Sequence, residues 1–281
     1  MSSSSVIVNG IVSWIEKNQK DFEPPVCNKC MYDDQLKVFF VGGPNSRKDY
    51  HLEEGEELFY QFDGDMNLKV VEKGAFKDVP IKQGDMFLLP ARIEHSPQRF
   101  EGTMGCVVER TRKPTEMDCL RYFGDSSKER LWERWVHLTD VVKDLPPLIK
   151  DYHNSEAGKT GKPDATSFIT TAPYEPIIRS LEKPINLEKF IDDHLSELEK
   201  GPVHVYDPVK YSTQVLLFGR GKHSIEASDG ETIVFQQRGL SAVTVNAVKT
   251  EVASFHIARI ANGKGYELDI EDGVAVVVKM V

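Results

Sequence analysis

Cysteine, excess positive charge and long apolar runs are all scarce in this sequence. Four cysteines in 281 residues are too few for a disulfide framework to carry a chain of this length. Lys+Arg 35 against Asp+Glu 44 leaves a formal charge of −9. An acidic chain is badly placed to collect phosphate backbones, which argues against nucleic acid as a partner. No run approaches the roughly 18 apolar residues of a membrane span. The longest early stretch, Val6 to Ile15, is interrupted by Asn9, Gly10 and Ser13 and has no basic segment before it, so neither a span nor a secretory signal is expected. There is no Asn-x-Ser/Thr sequon. These absences point to a cytosolic protein without membrane partners.

What is present is the composition of an ordinary globular protein, 40% hydrophobic and 28% charged, large enough to build a core without disulfides. At about 100–200 residues per domain the length predicts two domains. Residues 5–19 read as a short amphipathic helix on Val6, Ile11, Trp14 and Ile15, ended by the Pro24-Pro25 breaker. Short apolar or alternating runs then follow at Lys37–Val41, Leu58–Phe62, Asn67–Glu72, Met86–Leu89 and Gly105–Arg110, separated by Gly-, Asp- and Asn-rich turns. That spacing is the mark of an antiparallel sandwich or barrel. Helical texture returns at Ser126–Val136 and at Asp140–Tyr152, the latter broken by Pro146-Pro147. Residues 156–176 read as a linker or strap, and Asn186–Lys200 as a helix. A second strand-rich block contains Gln214–Phe218, Thr232–Gln236, Ala242–Val245, Val252–Ile260 and Val274–Lys279. Both halves are a helix followed by many strands, which suggests a duplicated barrel.

The first strand block concentrates polar groups: Arg47, Asp49, His51, Glu53, Glu54, Glu56 and Glu57, then Arg92, Glu94, His95 and Arg99, then Glu109, Arg110 and Arg112. Taken singly these have bland explanations: a solvated acidic hairpin for the stretch 51–57, a structural histidine for His95, surface ion pairs for Arg47, Arg99 and Glu109. Their combined spacing is more specific. His51-x-Glu53-x3-Glu57-x6-Gly64 and Gly84-x5-Pro90-x-Arg92-x2-His95-x3-Arg99 follow the two linked motifs of cupins, with Glu53 in place of a second His, Arg92 in place of Gly and Arg99 in place of Asn. Neighbouring strands of a small barrel would then present His51, Glu57 and His95 to one point. Two imidazoles and one carboxylate with open positions are the ligand grammar of non-haem Fe(II) oxygenases, and zinc accepts the same set. Strand alternation puts Arg47 and Asp49 on the face of His51, Arg99 on that of His95, and Glu109 on that of Val107. Two arginines and a carboxylate around such a centre imply an anionic substrate with a second polar handle.

The stretches PPVCNK (24–29), GGPNSRKDYHLEEGEELFYQ (42–61), GDMFLLPARIEHSPQRF (84–100) and GCVVERTR (105–112) closely resemble the 3-hydroxyanthranilate 3,4-dioxygenase family in its two-cupin, metazoan-type form. The resemblance implies a mainly β chain of two jelly-roll cupin domains with a few short helices: a catalytic metal-binding domain at 1–158, a linker at 159–176 and a degenerate metal-free cupin at 177–281. It implies one Fe(II) per chain on His51, Glu57 and His95. Substrate contacts are then expected from Glu57, Arg99 and Glu109, with Arg47 on the dioxygen side and Glu109 and Arg47 in catalysis. The reaction implied is opening of 3-hydroxyanthranilate by O2 to 2-amino-3-carboxymuconate semialdehyde, which cyclises to quinolinate on the way to NAD. A monomer is expected, because the two barrels pack on each other.

Two further readings belong to other classes: a metal-dependent cupin isomerase or hydrolase, and a non-catalytic cupin that binds a ligand or protein. Cys27 and Cys30 lack the second CxxC pair of an iron site, and Cys106 and Cys119 read as core residues. In the second block His204, His223, Glu226 and His256 reproduce neither motif, and the counterpart of the first motif, Thr232–Gly239, carries no ligand. That block is expected to buttress the first.

Overall fold

A computed structural model describes residues 5–22, 27–45, 47–125 and 127–281. Pro24, Pro25 and Val26 of the breaker and of the first family-like stretch lie outside these, as does Ser126. Twelve strands precede the middle of the chain: β1 (Val6–Gly10), β2 (Asn28–Asp33), β3 (Leu36–Gly42), β4 (Tyr50–Leu52), β5 (Glu57–Asp63), β6 (Met66–Glu72), β7 (Ala75–Ile81), β8 (Asp85–Leu89), β9 (His95–Arg99), β10 (Met104–Arg110), β11 (Asp118–Phe123) and β12 (Arg130–Val136). Eight follow: β13 (Ile185–Asn186), β14 (Val203–His204), β15 (Gln214–Phe218), β16 (Gly221–Ile225), β17 (Thr232–Val245), β18 (Val248–Ala253), β19 (His256–Ile260) and β20 (Tyr266–Lys279). The helices are short: α1 (Ile11–Lys17), α2 (Val141–Asn154), α3 (Glu156–Thr160), α4 (Leu187–Asp193) and α5 (Leu195–Leu198). The chain is thus mainly β with a few helices, as the sequence predicts.

Two facing antiparallel sheets make the first jelly roll, in the orders β13-β8-β5-β10-β3-β2 and β12-β11-β4-β9-β6-β7. The third sheet, β1-β19-β17-β20-β15-β14 with β16 and β18 on its flanks, makes the second. Alternation along β5 and β10 explains the layering. Leu58, Tyr60, Cys106 and Val108 face the second jelly roll and join Val215, Leu217, Ile233, Phe235, Val276 and Val278 in one core. Phe59 and Val107 face the other way, into the first jelly roll, with Leu68, Val70 and Phe87. Polar ties seal the junction: Leu36 N donates to Glu231 Oε2 at 2.9 Å and Arg259 Nη1 to Glu231 Oε1 at 2.6 Å.

Several expectations need correction. Val6–Gly10 is a strand, and the helix starts only at Ile11. β1 lies along β19 in register Val6↔Ile260 to Gly10↔His256, and the backbone bonds of that open edge outweigh a helical spacing five residues long. Ser126–Val136 is not helical either. Arg130–Val136 pairs with β11, and Leu131 and Trp132 are buried with Tyr122 beneath Leu145 and Ala157 of the covering helices. The two prolines do not break α2, which runs from Val141 to Asn154. Both are exposed, so the carbonyls they leave without a donor face water. The run Val252–Ile260 is two strands, and Thr232–Gln236 and Ala242–Val245 are the ends of the single β17.

Strand pairing also crosses both expected domain boundaries. β1 joins the second jelly roll and β13 pairs with β8 of the first. The strap is tied to the first jelly roll: Ser167 O accepts from Glu133 N at 3.1 Å and Tyr174 donates to Met117 O at 2.7 Å, and just beyond it Leu181 N donates to Glu72 Oε1 at 2.6 Å.

Candidate metal centre

The centre lies between the two sheets of the first jelly roll. His51 on β4 and His95 on β9 are cross-strand neighbours with ring centroids 5.4 Å apart. Glu57 opens β5 on the facing sheet. One ligand atom from each of the three lies within 4.8 Å of those of the other two, and all three residues are buried. The motif turns are formed as their spacing requires, Gly64 and Gly84 both having positive φ. Arg92 takes the left-handed backbone of the motif glycine, φ 59°, at roughly 1–2 kcal/mol. Its anchors are Glu54, 2.7 Å from Nη2, and the Tyr174 ring, 4.5 Å from the guanidinium carbon.

The electrostatics separate the two carboxylates of the first motif. Burial works against ionising Glu57, but the imidazoles of His95 and His51 and a hydrogen bond from Glu53 hold it well below the usual range. Glu53 is pushed far above that range by burial and by Glu57 and Glu109, despite Arg112. The same surroundings therefore favour the ionised form of Glu57 and work against that of Glu53. His95 Nδ1 donates to Ile93 O at 3.0 Å, which leaves Nε2 facing Glu57 Oε1 at 2.9 Å. Burial lowers the His95 pKa, but Glu57 outweighs it and the net shift is upward. His51 Nε2 lies 2.7 Å from Asp118 Oδ2. Glu57 Oε1 and Glu53 Oε1 are buried acceptors without an aligned donor. Two imidazoles, an ionised carboxylate and unsatisfied oxygens at one point fit a divalent cation.

Around this point stand the other expected residues. Arg99 ends β9, next to β6 but beyond the reach of β4, which is why Pro97 is tolerated in that strand. Its guanidinium is buried, Nη1 has no hydrogen-bond partner, and among the described residues no carboxylate pairs with it. Gly105 makes the room: a Cβ there would stand 2.6 Å from Arg99 Nη1. Burial pulls the pKa of Arg99 down to about 10. Glu109 shares the inward face of Val107 and is buried; burial and Glu57 raise its pKa against the pull of Arg112. Arg47 departs from its expected reason. The described residues 43–45 and 47–49 carry no strand, so alternation with His51 does not apply. Arg47 is placed by Asp49, whose Oδ2 accepts from Nε at 3.1 Å.

Two residues of the cluster escaped the sequence reading of roles. Arg112 lies two residues past the end of β10, where alternation stops, and Asp118 follows a turn that no spacing rule describes. Only the pairing Leu120↔His51 between β11 and β4 brings Asp118 to the centre. Cys27 and Cys30 make separate contacts, Cys30 Sγ donating to Tyr32 O at 2.7 Å and Cys27 Sγ lying 3.8 Å from Pro44 O.

Residues 2–153 match the profile of the 3-hydroxyanthranilic acid dioxygenase family. The chain belongs to that family. It is thereby a dioxygenase, an oxidoreductase with a metal-binding His/Glu site on a cupin scaffold. Family members named 3-hydroxyanthranilate 3,4-dioxygenase from Caenorhabditis briggsae and Caenorhabditis elegans are 53% identical over 271 residues and 51% identical over 278, covering 96% and 99% of both chains. The one from Homo sapiens is 41% identical over 265 residues, 94% of this chain and 92% of that one. Among solved structures, salicylate 1,2-dioxygenase from Pseudaminobacter salicylatoxidans aligns over 98% of this chain and 85% of its own with a TM-score of 0.62 and 11% identity. At that identity the likeness concerns the fold, which family and structure share. Among the described residues no helix is long and apolar enough to cross a membrane.

Proposed function

We propose that this chain converts 3-hydroxyanthranilate and O2 to 2-amino-3-carboxymuconate semialdehyde by extradiol-type cleavage, using one Fe(II) held by His51, Glu57 and His95 in the first jelly roll. The relatives at 41–53% identity carry that activity in their names. The observation that carries the reading here is Arg99: a buried guanidinium with an unpartnered Nη1, beside a two-histidine, one-glutamate cluster. An unpaired buried cation is costly, and a ligand carboxylate would relieve it with a two-point grip.

The remaining roles follow from the same geometry. Iron, when bound, supplies the redox chemistry that lets triplet O2 react with a closed-shell aminophenol. Glu109, raised in pKa by burial, accepts a proton from the substrate hydroxyl or amine. Arg47 is held by Asp49 at the edge of the site, its side chain 28% exposed, and offers positive charge on the dioxygen side. Glu57 serves both metal and substrate. The product would cyclise to quinolinate, feeding NAD synthesis. Residues 177–281 act as a metal-free cupin that supports the first. Since the apolar face of β5 and β10 is covered from within the chain, we infer a monomer, and from the composition a cytosolic one.

The ligand set also suits a zinc hydrolase or isomerase. Oxygen uptake with 3-hydroxyanthranilate after anaerobic Fe(II) loading, with zinc-loaded and chelated controls, separates the readings. Uptake only with iron is expected. Turnover with zinc and no oxygen demand overturns the dioxygenase chemistry.

A further inference from the structure

The site contains a second buried guanidinium whose surroundings are the opposite of those of Arg99. Arg112 Nη1 donates to Glu109 Oε1 at 2.6 Å, Nη2 lies 2.8 Å from Glu53 Oε2, and Nη2 and Nε donate to Asp118 Oδ2 at 3.0 and 3.2 Å. All four side chains are buried. The same Asp118 Oδ2 is 2.7 Å from His51 Nε2. One planar fork therefore touches the carboxylate read as the proton acceptor, the carboxyl group of Glu53 beside Glu57, and the carboxylate that orients a metal-ligand histidine.

A buried ion cluster of this kind is a poor source of stability. Removing charges from water offsets most of their attraction, and apolar replacements are often neutral or stabilising. Its arrangement here is better explained by geometry. Arg112 thus faces the protein carboxyl groups of Glu109, Glu53 and Asp118, whereas Arg99 Nη1 is left without a partner. We propose that Arg112 is a positioning residue for this reaction. It sets Glu109 directly and His51 through Asp118, so that proton acceptor and metal ligand are aimed by a single cation. The inference rests on the roles given above to Glu109 and His51. Lysine keeps the charge but is a point donor and cannot span all three carboxylates.

The test uses the full chain with Arg112→Lys, Asp118→Asn, Glu109→Gln and the double variant Arg112→Lys/Glu109→Gln. Arg112→Lys should lower kcat on the order of 10- to 100-fold while KM for 3-hydroxyanthranilate stays within about threefold, because the grip of Arg99 is untouched. With metal saturating, the double variant should lose less than the product of the two single losses, because its arm to Glu109 is already gone. Multiplying losses would overturn the inference, since Arg112 would then act independently of Glu109. A second readout needs no turnover. In chelator competition with Co(II), both Arg112→Lys and the isosteric Asp118→Asn should hold the metal about 10-fold less tightly, with a shifted visible spectrum. Native kcat and native retention in Arg112→Lys overturn the proposal. If the unaltered chain binds metal but does not consume 3-hydroxyanthranilate, the dioxygenase reading fails separately. Metal retention then decides: weakened retention upholds the arm through Asp118 to His51, and unchanged retention overturns it.

Discussion

The first jelly roll is two facing six-stranded sheets, the second a single eight-stranded sheet, and their interiors are filled differently. Inside the first, His51, Glu53, Glu57, His95, Arg99, Glu109, Arg112 and Asp118 are all buried next to an apolar layer of Phe59, Leu68, Val70 and Val107. Inside the second, the space is taken by Val234, Val243, Val245, Val252, Ala258, Leu268, Ile270 and Val277. Its histidines stay out of the interior. His223 and His256 bond the carbonyls of Gly219 and Ser254 at 2.8 and 3.0 Å. A buried ionisable cluster costs folding free energy in proportion to its desolvation, and the second jelly roll offsets that cost by offering the first a large apolar surface through β5 and β10. Buried ionisable groups thus gather in the first jelly roll and apolar packing fills the second.

The sharpest way to break this comparison is a matched pair of histidine variants. His95→Ala should abolish both metal retention and oxygen uptake, whereas His256→Ala should leave both within about twofold of native; metal analysis and an oxygen electrode read the two side by side. Loss of turnover in His256→Ala would end the division of labour.

A core deletion tests the other half. Leu268 is fully buried, and Leu268→Ala should cost about 2–5 kcal/mol in urea unfolding while kcat per folded molecule is unchanged. A kcat that falls with no stability change would place the second jelly roll in the chemistry.

Arg99→Ala should lower kcat/KM for 3-hydroxyanthranilate by roughly 10- to 100-fold, the worth of a charge-assisted hydrogen bond of about 1.5–3 kcal/mol. With 2-aminophenol, which lacks the carboxylate, the loss should be small. Equal losses on both would move the carboxylate grip to Arg47.

The smallest expected effect concerns acid. Burial works against ionising Glu116, but its hydrogen bonds from Arg110 and from Lys113 N lower its pKa. A depressed carboxylate adds stability that is fully present above its unfolded pKa, near 4.5, and is lost as pH falls through the folded value. Glu116→Gln should therefore be about 1 kcal/mol less stable at pH 7, and the gap to native should narrow steadily as pH falls below the unfolded value. A gap that does not narrow in acid would assign the loss to packing. The same sign holds for Asp49 and Asp118, whose burial opposes charge but whose Arg47, His51 and Arg112 partners win, so acid should weaken the charged first jelly roll before the apolar second.

How much of this was legible beforehand depends on the range of the cause. Alternation over Gly105–Arg110 sends Val107 and Glu109 inward, and they are inward because a strand turns its side chains over every residue wherever it lies. His51, Glu57 and His95 converge as their spacing implies, since β4 and β9 pair directly at the two histidines. Leu131, Trp132 and Trp135 misled because a helical spacing of apolar residues also suits a strand covered on both faces. Val6–Gly10 misled because its partner, β19, lies about 250 residues further along the chain. Arg47 was found through a strand that does not exist there.

The mainly β fold, the meeting of His51, Glu57 and His95 and the inward Glu109 could be read from the chain, because strand period, turn glycines and motif spacing act over a few residues. Only the packed sheets set Glu57 and Glu53 apart electrostatically, leave Arg99 unpaired while Arg112 is surrounded, and bring Asp118 to His51. Those outcomes depend on desolvation and on distances of a few ångströms between strands remote in sequence, and such terms exist only once the sheets have closed on one another.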